Sequence, residues 1–245
     1  MSISETTAYK RSVFIDGAIT CGPTILGYWS IGFAAGAIGS ISGFSLGDVA
    51  LLAMLLYAGS AQFLFYSLWI GGAGTLSVVL AVLLVNIRYL LMSSYLSRYF
   101  SELTGMQKFI SGMLLTDETF GVATQHASKN GKISYWWMLG LNSAAYVNWT
   151  IANIVGAFLA KSIPADFSHR LGFSLTAMFI GLIVLNYFES KQKWLELIAM
   201  FISTVVILAG LGKFDMNVSL LVATSIAATV CATAMYFYPA LGGKK

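Results

Sequence analysis

The 245-residue chain is 58% hydrophobic and only 10% charged, with a net charge of +4 and a mean hydropathy of +0.78. So little charge cannot cover a water-facing surface, which excludes an ordinary soluble domain and implies a polytopic membrane protein. The positive balance is spread over loop Lys and Arg without a dense basic run, which argues against a nucleic-acid surface.

The N-terminal stretch to Ile19 carries Lys10 and Arg11 together with Glu5 and Asp16. It lacks an apolar core followed by a small-residue cleavage site, so no removable signal peptide is expected. Apolar stretches follow at about 18–42, 48–70, 75–97, 133–160, 171–188, 194–212 and 217–238, near the roughly 20 residues that a transmembrane helix needs. An eighth candidate, 105–126, opens with Thr104 and Gln107 at capping-box spacing but carries Asp117 and Glu118 at its middle. Three paths are open to it: spanning, breaking or re-entering. The expected fold is all-α, a polytopic integral membrane helix bundle of seven or eight spans forming one transmembrane domain over residues 1–245.

Lys and Arg mark the cytoplasmic loops. Eight spans with a cytoplasmic N-terminus put Lys10, Arg11, Lys129, Lys132, Lys191, Lys193, Lys244 and Lys245 inside, against Arg98, Lys108, Lys161, Arg170 and Lys213 outside. Seven spans with an external N-terminus give the same totals. Charge therefore places the C-terminus in the cytoplasm under either topology and leaves the N-terminus open, with Lys10 and Arg11 favouring eight spans.

An internal repeat is visible. The run from Trp29 to Ala37 aligns with Trp149 to Ala157, and Phe44-Ser45 with Tyr57-Ala-Gly59 aligns with Phe167-Ser168 and Phe179-Ile-Gly181, at offsets of 120 to 123. Repeated halves of about 17–126 and 133–239 are a common build for secondary transporters. They are parallel if 105–126 spans and inverted if it does not.

Several spans hold groups that hydrocarbon does not tolerate unpaired. In the first, Pro23 removes a backbone donor near Gly27, while Gly32, Gly36, Gly39 and Gly43 allow close helix approach. A helix broken there offers free amides and carbonyls to a substrate; close packing alone is the competing reading. The second span places Tyr57, Gly59 and Gln62 together, and the amide of Gln62 must face protein or a cavity. The third carries Asn86 and Arg88, which point to different faces unless the helix unwinds. An Arg at mid-span costs roughly 2.5–3.5 kcal/mol and calls for a carboxylate, carbonyl or anionic substrate.

Asp117 and Glu118 together cost on the order of 5 kcal/mol at the centre of a span unless paired, protonated or hydrated. Such acids serve proton relays and cation sites; an interfacial helix with wet carboxylates is the alternative. The fifth stretch adds Asn142, Asn148 and Asn153, which make that helix polar on several faces. Its Asn-Trp-Thr triplet at Asn148 lies inside a span and is not read as a glycosylation site.

No chemistry of an enzyme stands out. Cys21 and Cys231 lie in apolar stretches without a partner at metal-ligand spacing, so no metal, disulfide or cofactor is expected. His126 and His169 fall in or beside loops and form no zinc motif, and no phosphate-binding loop is present. No catalytic residue is assigned. Transport of a small molecule fits the buried polar groups best, with a passive channel or a signalling bundle as the other class; no ring of charges favours a channel.

Four features carry a family resemblance: Pro23 in a glycine-rich first span, Tyr57-Ala-Gly-Ser-Ala-Gln62-Phe63, Asn86-Ile-Arg88-Tyr89-Leu-Leu-Met92 followed by Ser94, and Leu115-Thr116-Asp117-Glu118-Thr119-Phe120. In this order they resemble the AzlC family, the large membrane subunit of branched-chain amino acid exporters. The resemblance implies secondary-active export of valine, leucine, isoleucine or similar amino acids across the bacterial inner membrane, coupled to ion or proton movement. It also implies a small hydrophobic AzlD-type membrane subunit as partner, meeting this chain within the lipid bilayer. Under it, Asp117 or Glu118 carries the coupling proton, Arg88 balances charge or meets the substrate carboxylate, and backbone near Pro23 holds the amino acid.

Overall fold

The computed structural model describes residues 3–162, 180, 184, 187, 188, 193–212 and 216–237, in two compact units, 1–176 and 177–245. The described residues are helical throughout apart from turns, as expected of an all-α membrane bundle. Most of the expected span 171–188 lies outside them, as do His169, Arg170 and the Phe167-Ser168 part of the repeat.

In the first unit, α1 (Ile3–Thr20) runs into α2 (Gly22–Ile41) across Cys21 alone. Pro23 at the start of α2 lacks the N–H that would continue the ladder of α1, and Thr24 closes the gap by donating both its N–H and its hydroxyl to the Cys21 carbonyl. The break is one residue long and keeps a helical dihedral at Cys21.

The long helix α8 (Tyr135–Leu159) lies alongside both, in the same direction: Phe14 and Gly17 meet Gly140 and Trp137, Trp29 meets Asn148, Gly36 meets Asn153, and Ala37 packs with Ala160. The contact is backbone on backbone. A Cβ at Gly36 would sit 1.9 Å from the Asn153 carbonyl oxygen, one at Gly156 2.1 Å from that of Phe33, and one at Gly140 2.0 Å from that of Phe14. Hydrocarbon supplies no hydrophobic drive between helices, so such small-residue seams are what hold them.

The two stretches between these helices that carry polar centres fold back on themselves. Residues 48–70, long and apolar enough to cross, instead form α3 (Leu46–Leu55) and α4 (Gly59–Ile70). Phe44, ahead of α3, packs its ring against Phe65, Tyr66 and Trp69 in the last turns of α4, at centroid distances of 5.2 to 6.2 Å. Both ends of the segment are therefore on one side. The turn between them rests on Tyr57, whose φ of 41° is left-handed, a backbone strain of about 1–3 kcal/mol for a bulky residue.

Residues 105–126 also re-enter. α6 (Gly105–Met113) and α7 (Asp117–Asn130) are joined by three residues, and Glu102 before them lies 2.8 Å from Lys132 after them. The Ile133 N–H also bonds the Tyr99 carbonyl at 3.1 Å. Between the hairpins, α5 (Thr75–Ser97) crosses without interruption, with Leu76, Leu80, Leu83, Ile87 and Leu91 forming an exposed apolar stripe suited to lipid.

The path of this unit is thus α1–α2 across, a hairpin dipping in from the far side, α5 back, a second hairpin dipping in from the near side, and α8 across again. With 105–126 not spanning, the sequence rule predicts α2 and α8 antiparallel. They are parallel because 48–70 does not span either.

The second unit contains α9 (Lys193–Gly210) and α10 (Met216–Phe237), packed as an antiparallel pair with Leu195, Ala223 and Ala227 buried. Cys231 lies 3.7 Å from the Leu195 carbonyl.

Candidate functional site

The two hairpin tips meet inside the first unit. α7 is about 20 Å long by its 14 residues, long enough to carry Asp117 at its inner end well into a hydrocarbon core roughly 30 Å thick. Thr116 caps this end: its Oγ1 accepts from the Thr119 N–H, and the Thr119 hydroxyl accepts from the Thr116 N–H at 2.9 Å. The first-turn acids then sit at the positive end of the helix dipole. That placement stabilises the two adjacent carboxylates in part.

Arg88, on the continuous helix α5, joins the tips. One guanidinium nitrogen is 2.7 Å from Asp117 and donates to Ser60 Oγ at 2.8 Å and to the Tyr89 hydroxyl at 3.2 Å. Ser60 belongs to the first turn of α4, whose N-cap Ala58 provides no side-chain cap. Arg88 therefore places positive charge against an uncapped helix N-terminus, an unfavourable pairing that Asp117 offsets. Arg88 and Asp117 retain 29% and 25% side-chain exposure, so the pair is reachable.

Behind it lies a second buried network. Gln62, fully buried on α4, donates to the Tyr66 hydroxyl at 2.9 Å and to Asn153 Oδ1 at 2.8 Å, while Asn153 donates to the Trp149 carbonyl at 3.0 Å. Tyr28 of α2 hydrogen-bonds the Thr116 hydroxyl at 2.5 Å. Tyr57 stacks edge-on against Tyr146 at 4.9 Å.

Of the residues singled out from the sequence, Tyr57, Gly59, Gln62, Arg88, Asp117, Glu118 and Asn153 fall at or beside the tips. Gly59 is the first residue of α4. Asn86 is half-buried on α5, with its carbonyl oxygen unpartnered among the described residues. Asn148 is engaged elsewhere, accepting from the Trp29 indole at 2.9 Å and donating to the Ala144 carbonyl. Pro23 is exposed and Gly27 half-buried, with nothing within 4 Å of a Cβ built on Gly27.

Sequence reasoning quoted Ser60, Tyr89 and Thr116 only within the family motifs, without a role at the site, and did not single out Tyr28, Tyr66 or Tyr146. Thr116 was findable as an N-cap preceding two first-turn acids; the tyrosines carried no signal until the fold paired them.

The AzlC protein family matches residues 23–163, which run from the start of α2 to the end of α8 and contain every residue of this site. The chain belongs to the AzlC family. It is 27% identical over 216 residues to the inner membrane protein YgaZ of Escherichia coli, covering 86% of each chain. It is 26% identical over 179 residues to an uncharacterized membrane protein of Archaeoglobus fulgidus, covering 72% of this chain and 77% of that one. The branched-chain amino acid transport protein AzlC of Bacillus subtilis is 23% identical over 194 residues, covering 78% and 75%. No solved structure matches this AzlC-family chain.

Proposed function

We propose that this chain is the large subunit of a secondary-active exporter of branched-chain or similar small hydrophobic amino acids. The observation that carries the reading is the meeting of two oppositely inserted hairpins at Arg88, Ser60 and Asp117. Irregular backbone and charge at membrane depth are tolerated where they line a cavity, and transporters use such helix breaks to hold substrates. The name of the Bacillus subtilis relative supplies the substrate class.

In this reading the substrate carboxylate competes with Asp117 for Arg88 and draws on the uncapped N–H groups at the start of α4. Asp117, released from its partner, takes up the coupling proton. A small hydrophobic AzlD-type subunit completes the transporter within the bilayer.

Orientation follows from charge. The fold carries Lys10, Arg11, Arg98, Lys108, Lys129 and Lys132 to one side of the first unit and, among its described residues, only Lys161 to the other. Cytoplasmic loops hold the excess of Lys and Arg, so the N-terminus and the α6–α7 hairpin face the cytoplasm and the α3–α4 hairpin enters from outside. The C-terminus falls on the cytoplasmic side if the three stretches expected to cross after α8, at about 171–188, 194–212 and 217–238, each do so, and the membrane is the bacterial inner membrane.

The test is efflux of preloaded radiolabelled valine or leucine from proteoliposomes, with and without the small subunit, under an imposed pH gradient. Saturable, gradient-dependent efflux supports the proposal. Ohmic current, or no flux of any neutral amino acid with both subunits present, overturns it.

A further inference from the structure

Two neighbouring acids at the tip of α7 have different surroundings. Asp117 is paired with Arg88 at 2.7 Å. Glu118, one residue on and about 100° around the helix, forms neither a hydrogen bond nor an ion pair among the described residues. It shares the meeting point of the tips with two tyrosines: Tyr28 bonds Thr116, two residues before it, and Tyr57 lies three residues before Ser60, which shares Arg88 with the neighbouring Asp117. Glu118 is half-buried; a carboxylate at membrane depth needs a cation or donors, and the dipole of the 14-residue α7 supplies only a part of that need.

The surroundings of Glu118 hold an unused polar group. Tyr57 is only 7% exposed, and its hydroxyl is buried without a partner among the described residues. Tyr28 is 2% exposed, with its own hydroxyl tied to Thr116. The guanidinium of Arg88 gives one terminal nitrogen to Asp117, Ser60 and Tyr89, while its Nε is buried and unpartnered among the described residues. What fits a free carboxylate, a free phenol oxygen and two aromatic rings is a compact cation rich in N–H donors. A primary ammonium, with three donors and affinity for ring faces, has that chemistry.

We propose that Glu118 binds the ammonium group of the substrate, with the Tyr57 hydroxyl as second acceptor, while Arg88 and the start of α4 receive the carboxylate. This rests on the amino-acid reading of the site given above. It divides the labour between the adjacent acids: Asp117 exchanges its hold on Arg88, and Glu118 recognises the amine. The ligand class is then a zwitterionic α-amino acid, and an α-hydroxy acid of the same side chain is discriminated against at Glu118.

The experiment is counterflow of labelled leucine in proteoliposomes containing the full chain and its small subunit, competed by unlabelled leucine or by 2-hydroxyisocaproate. Direct binding of labelled 2-hydroxyisocaproate to the purified protein accompanies it. The wild-type site is expected to prefer leucine by at least about tenfold, the scale of one charge-assisted hydrogen bond. In Glu118→Gln the preference falls to near parity through lost leucine affinity, while 2-hydroxyisocaproate binds as before.

Glu118→Gln keeping the preference for leucine, even with its response to the pH gradient gone, overturns the proposal and makes Glu118 a coupling residue. Equal loss of both ligands in folded Glu118→Gln also overturns it, since an ammonium site cannot matter to a ligand without one. Wild-type protein moving no neutral amino acid removes the transport reading, and this proposal falls with it.

Discussion

Arg88 and Asp117 lie 2.7 Å apart on two helices that enter the site from different directions, and the pair fastens the α7 tip to α5 beside the start of α4. Removing either partner strands the other charge at membrane depth. For a fully buried pair that costs about 3–5 kcal/mol; with roughly a quarter of each side chain exposed, about 2 kcal/mol is expected for Arg88→Gln or Asp117→Asn. The double variant should be less destabilised than the sum of the two, as thermal unfolding in detergent would reveal. Folded Asp117→Asn should lose efflux driven by the pH gradient; retained pH-driven efflux would remove Asp117 from the coupling role.

The amides of Gln62 and Asn153 join α4 to α8 in a fully buried site at 2.8 Å. Asn153→Ala takes an acceptor from Gln62 and leaves its amide short of partners, a loss of about 1–3 kcal/mol. A double-mutant cycle with Gln62→Leu should yield a coupling energy near 1 kcal/mol, the usual scale for polar contacts between membrane helices. Strict additivity of the two substitutions would show that the contact does not hold the hairpin to α8.

The glycine seam allows a sharper contrast. At Gly36 and Gly156 an added Cβ would collide with a backbone carbonyl on the facing helix, at 1.9 and 2.1 Å. Backbone cannot swing aside as a side chain can, so Gly36→Ala and Gly156→Ala are each expected to cost about 3 kcal/mol or more. Gly22→Ala, with nothing within 4 Å of the new atom, should leave the melting temperature unchanged. Equal behaviour of the three variants would mean that α2 and α8 are not seated along this seam.

The sequence made the helical class and the importance of the charged motifs legible because hydropathy and intramembrane charge are local properties. The path of the chain was not local. Residues 48–70 have the length and apolarity of a crossing helix; what turns them back is the left-handed Tyr57 and the demand of Ser60 and Gln62 for partners on α5 and α8. For 105–126 the breaking signal was present, since Thr116 followed by two acids reads as a helix start. The same signal near Pro23 amounted to a single-residue interruption, as Thr24 bridges it. The pairing of Tyr28 with Thr116 depends on a contact across 88 residues of sequence and has no periodic trace.

Two hairpins in place of two crossings also make a topological prediction that needs no transport assay. With Cys21 and Cys231 replaced, single cysteines are placed at Ser42 and Ala73, which flank the α3–α4 hairpin, and at Glu102 and Lys132, which flank α6–α7. Membrane-impermeant maleimide should label the members of each pair from the same side, with the two pairs opposite one another: the first from outside, the second from the cytoplasm. A crossing helix at 46–70 would instead split Ser42 from Ala73, and one at 105–130 would split Glu102 from Lys132. Because the ion pair between Glu102 and Lys132 already spans 2.8 Å, the second pair also tests the structure by proximity: cysteines at both positions should be cross-linked by a short bifunctional maleimide, an outcome that a spanning helix between them would forbid.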